Sequence, residues 1–333
     1  MNKVSVNKIT ERIVKEFLSN SQRLRVSINK LNNGTTIIDT GLNAPGGFEA
    51  GKLVTAISLG GLADVEIKTV TNENLTLPTV FVKTDHPAIS IAGCQWAWTD
   101  LFPLPFIARD EEYSALLSGP AKCLVRRPVK HFDKISYKDD TDFGIMIVQS
   151  DRLPNEQNSE YIAKEVKVDA SNLFLVVAPT NSIAGSTQVS ARILEDGLLS
   201  LVQYLNFDIN KVKAAFGSCP IAPTFSRMWK EPGITPDDMI RNCGRVHFVV
   251  YSSEKDDLSY IAKNMVTENT PAHGKSFYQL IQEGQLAEPD FNKKCAAGTS
   301  FVIAEVTLSD LRTGKIYKAG KVHTHLIEKF AGM

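Results

Sequence analysis

Residues 173–197 read LFLVVAPTNSIAGSTQVSARILEDG. The stretch opens on an unbroken apolar run over 173–178, where Phe174, Val176 and Val177 favour a strand, and Pro179 stops it. A loop rich in small residues follows over 179–187. From Gln188 the residues turn helical, so Gln188, Arg192 and Glu195 fall at i, i+4 and i+7 on one face. An amide, a guanidinium and a carboxylate then line up beyond a loop that holds Ser182, Gly185, Ser186 and Thr187 near a helix N-terminus. That end of a helix offers unpaired N–H groups and partial positive charge. The arrangement suits a polar or anionic ligand better than a packed core.

Outward from this unit the pattern alternates without a repeat. It predicts a helix over 6–18, strands over 24–30 and 35–39, a helix over 48–58, strands over 64–70 and 77–83, and a helix over 86–98. A strand over 143–149 and a helix over 155–165 precede the quoted segment. After it come a strand over 246–251, helices over 256–265 and 276–282, strands over 299–307 and 315–319, and a closing helix. Adjacent strand pairs mixed with α/β units predict an α+β (mixed α/β) fold of layered sheets and helices, not a doubly wound parallel sheet. A length of 333 residues suggests two domains. A charged crossover around RRPVK sets the expected boundary, 1–128 and 129–333, with a return of the C-terminal strands to the first domain left open.

Composition narrows the function. Lys plus Arg and Asp plus Glu both number 37, so the basic excess of a nucleic-acid binder is missing. No apolar run approaches the roughly 20 residues of a membrane helix, and the N-terminus lacks the apolar core of a signal peptide. The expectation is a cytoplasmic protein that uses neither a membrane nor nucleic acid. Cys94, Cys123, Cys219, Cys243 and Cys295 stand singly, which argues for reduced thiols over disulfides or structural zinc. The six histidines show no metal-ligand spacing. His323 and His325, two apart on an expected helix, should face different ways.

Several motifs have a bland reading beside the functional one. GGFEAGKL over 46–53 nearly matches a phosphate-binding loop, but Leu53 stands where a hydroxyl should hold magnesium and Pro45 precedes it in place of a feeding strand. A tight turn opening a helix fits better. Gly274, Lys275 and Ser276 carry only the tail of that motif. His86 suits a helix cap or a structural hydrogen bond at least as well as a ligand contact. Lys122, Arg126, Arg127, Lys130 and Lys134 form either a solvated run or, with Ser118 and Gly119, a site for an anionic tail. Arg192 and Glu195 alone would read as a surface ion pair.

The pattern A-P-T-x-S-x-x-G-S-x-Q-x-S-A-R-x-x-E over 178–195 strongly resembles the methenyltetrahydromethanopterin cyclohydrolases. GGFEAGK (46–52), LGGLADV (59–65), HPAISIAGCQ (86–95), SGPAK (118–122), RLPNE (152–156), CPIAP (219–223), TGKIYKAGK (313–321) and HLIEKF follow in the family's order. The resemblance implies a two-domain fold with a large pocket between the domains, and a homo-oligomer, commonly a trimer. It implies hydrolysis of a methenyl-bridged tetrahydromethanopterin derivative, which is substrate and not resident cofactor, with no metal. Glu195 would be the base, Arg192 would orient it, and Gln188 would hold the pterin or the water. Ser182, Gly185, Ser186, His86, Ser118, Gly119 and Lys122 would line the substrate site.

The chain departs from the family at Leu117 and Lys122, where glycine and arginine are usual, and over 233–237, where G-R-T-N-D has become GITPD. Residues 104–110 differ as well. These changes leave R-x-x-E intact and keep open a second reading, a silent or altered-specificity pterin-binding paralogue.

Overall fold

A computed structural model describes residues 4–73, 75–97, 115–225, 228, 231–285 and 302–333. The departures over 104–110, Cys295, the end of the 86–98 helix and the start of the 299–307 strand lie outside them. The strands in chain order are β1 (Ser27–Lys30), β2 (Thr36–Asp39), β3 (Asp64–Asn72), β4 (Leu75–Thr84), β5 (Leu116–Ser118) and β6 (Gly144–Gln149). They continue with β7 (Leu173–Val177), β8 (Val212–Pro220), β9 (Arg245–Val250), β10 (Glu305–Asp310) and β11 (Ile316–Gly320).

The chain forms two compact units, each built from separate stretches: Met1–Asp64 with Ala88–Gln188, and Val65–Pro87 with Val189–Met333. The position expected for a single boundary, near residue 128, falls inside the first unit. The reason is β3 and β4. β4 pairs antiparallel with β8, Thr79 opposite Pro220 and Thr84 opposite Ala215, so this early strand pair belongs to the later unit's sheet. The C-terminal strands stay there too, β10 parallel to β9 and β11 antiparallel to β10.

In the first unit the sheet order is β1-β2-β7-β6-β5. β2, β7 and β6 run parallel, and β1 and β5 close the edges antiparallel. The central strands are apolar along most of their length, over residues 37–38, 145–148 and 173–177, because both faces are covered. Ile37, Met146, Val148, Leu175 and Val177 pack on one face with Ile162, Ala163 and Val166 of a helix, Glu156–Val166. Ile38, Ile145, Ile147 and Val176 pack on the other with Val14 and Phe17 of α1 (Val6–Ser19) and Ala50, Val54 and Ile57 of α2 (Phe48–Ser58). The Glu156–Val166 helix is α3.

In the second unit the order is β11-β10-β9-β8-β4-β3, and burial alternates along β9 and β10. Val246, Phe248 and Val250 are buried while Arg245, His247 and Val249 are half-buried, the period of a sheet covered mainly on one face. Central β8 has no counterpart among the sequence expectations. Its Ala214, Ala215, Gly217 and Ser218 are weak strand formers, yet the position needs them. A Cβ on Gly217 would stand 2.9 Å from both Ile193 Cγ2 and Leu194 Cδ2.

Candidate active site

The segment after β7 differs from its sequence reading. The helix begins at Ile183, not Gln188, and it breaks at Ala191 and Arg192 to give α4 (Ile183–Ser190) and α5 (Ile193–Leu199). Ser182 starts it early. Its hydroxyl accepts the Gly185 N–H at 3.0 Å and donates to Pro179 O at 2.8 Å, while its carbonyl accepts the Ser186 N–H. The expected single face carrying Gln188, Arg192 and Glu195 is therefore interrupted. Gln188 lies on α4 in the first unit; Arg192 stands at the N-cap of α5 in the second, with Glu195 three residues on.

Within α5 the geometry is tight. Arg192 Nη1 donates to Glu195 Oε2 at 2.5 Å, with the two side chains 9 % and 6 % exposed. A surface pair would be wet, so the bland reading of this spacing fails. Breaking a buried pair leaves an uncompensated charge, and about 3–5 kcal/mol is the usual penalty. Gln188 is buried as well, and among the described residues neither its amide oxygen nor its amide nitrogen has a hydrogen-bond partner. Unpartnered buried amides are rare, and such a group suits a ligand that offers both a donor and an acceptor.

The remaining expected site residues divide by what their polar atoms already do. Ser182 and Gly185 are engaged in the cap, and Ser186 is fully buried on α4. Ser118 is buried at the end of β5, and the Gly119 N–H donates to Cys94 O at 2.8 Å. Lys122 is fully buried and donates to Trp96 O, so it does not belong to a solvated run. Arg126 also turns inward, onto Phe132 O at 2.7 Å, while Arg127, Lys130 and Lys134 are exposed. His86 is exposed in the second unit, its backbone N–H on Thr84 Oγ1 at 3.0 Å.

The phosphate-loop look-alike is a turn opening a helix. β2 ends at Asp39, whose carboxylate accepts the N–H groups of Gly41, Leu42, Asn43 and Ala44 at 2.7–3.1 Å. The turn ahead of the motif is thus wound around a carboxylate. The glycine pair follows, and α2 starts at Phe48.

His323 and His325 do not point apart. Their ring centroids are 5.6 Å from each other, and His273 lies 4.8 Å from His323. His323 precedes its helix with φ −124° and ψ 67°, so helical periodicity does not govern it. Among the described residues no group of three or more His, Cys, Asp or Glu could hold a metal ion, and no helix is long and apolar enough to cross a membrane.

Sequence reasoning missed the acids beside the pair. Asp196 follows Glu195, and a further helix, α6 (Pro236–Cys243), contributes Asp237, Asp238 and Arg241, all but Asp237 buried by exposed area. Two signals were present: an acidic pair inside the apolar run ILEDGLLSL, and the capping pattern T-P-D-D ahead of α6.

The family model described as Cyclohydrolase (MCH) matches residues 5–330. The methenyltetrahydromethanopterin cyclohydrolase of Methanocaldococcus jannaschii is 38% identical over 332 residues, covering 99% of this chain and 98% of the relative. That of Methanothermobacter marburgensis is 38% identical over 333 residues, covering 99% and 100%. That of Methanobrevibacter smithii is 38% identical over 334 residues, covering 99% of both.

Proposed function

The chain belongs to the methenyltetrahydromethanopterin cyclohydrolase family, and on that premise we propose that it hydrolyses N5,N10-methenyltetrahydromethanopterin to the N5-formyl derivative. The observation that carries this reading is the buried Arg192–Glu195 pair in a chain that matches its relatives over nearly its whole length.

The substrate is a cationic amidinium whose bridging carbon is already electrophilic. Water adds to that carbon, the bond to N10 breaks, one water proton ends on N10 and one is released, and the positive charge disappears. A buried carboxylate serves this sequence twice. It attracts the cation, and it accepts the proton from the attacking water. Glu195 takes that role, and Arg192 fixes its orientation and offers N–H groups to the forming formyl oxygen. Gln188 joins as a pterin-binding residue on the strength of its unpartnered amide. Ser118, Gly119 and Lys122 remain candidates for the substrate's anionic tail through family resemblance, as do cytoplasmic residence and assembly as a trimer.

Glu195→Gln tests the assignment. Loss of the methenyl chromophore should slow by about 100-fold or more, while pterin binding followed by fluorescence titration persists. An undiminished rate would remove Glu195 as the base. Sedimentation equilibrium checks the trimer.

A further inference from the structure

Two cysteines that stand singly in sequence meet in the first unit. Cys94 lies in the last turn of a short helix, Ala88–Gln95, and Cys123 in the first turn of another, Lys122–Val125. Both are fully buried, and their sulfurs are 3.7 Å apart. A disulfide is about 2.05 Å long, so about 1.7 Å of closure separates the pair from a bond. The backbone holds the two side chains facing each other. The Gly119 N–H donates to Cys94 O, the Cys123 N–H to Pro120 O at 3.0 Å, and the Asp139 N–H to Cys123 O at 3.1 Å. Two glycines make room for the sulfurs: a Cβ on Gly60 would stand 2.7 Å from Cys94 Sγ, and one on Gly93 would stand 3.4 Å from Cys123 Sγ. Cys219, by contrast, donates its thiol to Pro220 O at 3.4 Å. A buried thiol by itself is a small hydrophobe, whereas two in contact can form a bond that neither forms alone.

We propose that Cys94 and Cys123 form a modification site, a dithiol that hydrogen peroxide converts reversibly to a disulfide, tying the helix Ala88–Gln95 to segment 118–122.

The chemistry balances in two steps. One sulfur attacks a peroxide oxygen, the O–O bond breaks, and that sulfur becomes a sulfenic acid as a first water leaves. The second sulfur then attacks the first, the S–O bond breaks, the S–S bond forms and a second water leaves. The two thiols give up two protons and two electrons, and the peroxide takes both. Burial, then the Cys94 contact, pushes the Cys123 thiol well above its usual range against the pull of Lys122. Scarce thiolate makes the first step slow, and the nearness of the second sulfur makes the closing step fast.

Two further contacts already join these stretches, the Gly119 N–H on Cys94 O and Lys122 Nζ on Trp96 O. Drawing the sulfurs together displaces Ser118, Gly119 and Lys122, so oxidation should weaken the hold on the substrate's anionic tail. This consequence rests on the hydrolysis proposed above, in which those three residues are the candidates for the tail.

The test treats the wild-type chain with hydrogen peroxide, blocks the remaining thiols with N-ethylmaleimide in denaturant, and maps the unreduced digest by mass spectrometry. A peptide pair joined through Cys94 and Cys123, and released by dithiothreitol, is expected. Unchanged thiols, sulfinic or sulfonic acid with no such link, or a link from either residue to another cysteine overturns the proposal. Turnover of the treated chain, followed by loss of the methenyl chromophore, should show KM raised by about tenfold, with kcat changed less and dithiothreitol restoring both. Cys94→Ala and Cys123→Ala should keep their KM through the same treatment. A KM that rises in the variants as well, or that stays put in the linked wild type, overturns the tie to segment 118–122. If the variants do not fold, recovery of the unmodified chain in dithiothreitol decides, because that reagent reverses a disulfide and leaves the higher cysteine acids in place. A wild-type chain that leaves the chromophore untouched sinks the hydrolysis, while the mass map still decides the thiol pair.

Discussion

At the scale of single residues, the buried ion pair and the carboxylate of Asp39 make the firmest predictions. Arg192 and Glu195 are coupled, so their stabilities should not add. Arg192→Gln alone should cost about 3 kcal/mol in urea unfolding, and adding Glu195→Gln should cost clearly less than the sum of the single changes. Additive losses would show that the contact carries no coupling. Asp39 winds four backbone amides around itself at zero exposure. Asp39→Ala would leave those donors without their acceptor and should cost about 3 kcal/mol by the same measurement. Neither role is written in local sequence. R-x-x-E spacing is common on wet helices, and D-T-G-L-N reads only as a turn.

At the scale of elements, α4 depends on the closeness of its first turn. A Cβ on Gly185 would stand 1.9 Å from Pro179 O, a backbone atom that cannot swing aside. Gly185→Ala should therefore cost about 3 kcal/mol. It should also slow chromophore loss by displacing the chain toward Arg192. A stable variant with normal turnover would mean that this start tolerates a methyl group.

The turn joining β10 to β11 hangs on Asp310. Burial would raise its carboxyl, but hydrogen bonds from Thr313, from Ser252 and from the Arg312 N–H hold it at about 2. A carboxyl lower in the folded than in the unfolded chain stabilises the fold above the unfolded value and loses that contribution as pH falls. The stability gap between wild type and Asp310→Asn should be full at neutral pH and close between pH 3.8 and about 2, measured by urea unfolding. A gap unchanged over that window would contradict the role given to Asp310.

At the scale of the whole molecule, the interleaving of the two units decides what can be cut. A chain divided between residues 128 and 129 separates β2 from β7, β5 from β6 and β4 from β8. Both sheets would open at central pairings, so neither fragment should give a cooperative urea transition or near-ultraviolet dichroism. A fragment that unfolds cooperatively would contradict this.

The sequence by itself determined the strand read over 173–178, the α+β class, the helices read over 6–18 and 48–58, and the R-x-x-E spacing. Each of these rests on local periodicity, or on a short pattern that survives whatever packs around it. Tertiary structure decided the rest. β8 is a strand because Gly217 admits Ile193 and Leu194, which no reading of AAFGSC reveals. α4 and α5 are two helices because Ser182 caps early and the chain turns at Arg192. Burial of Glu195, Asp196 and Arg241 also belongs to the assembled fold: a charge's surroundings are set by elements far away in the chain, and periodicity records only which residues share a face.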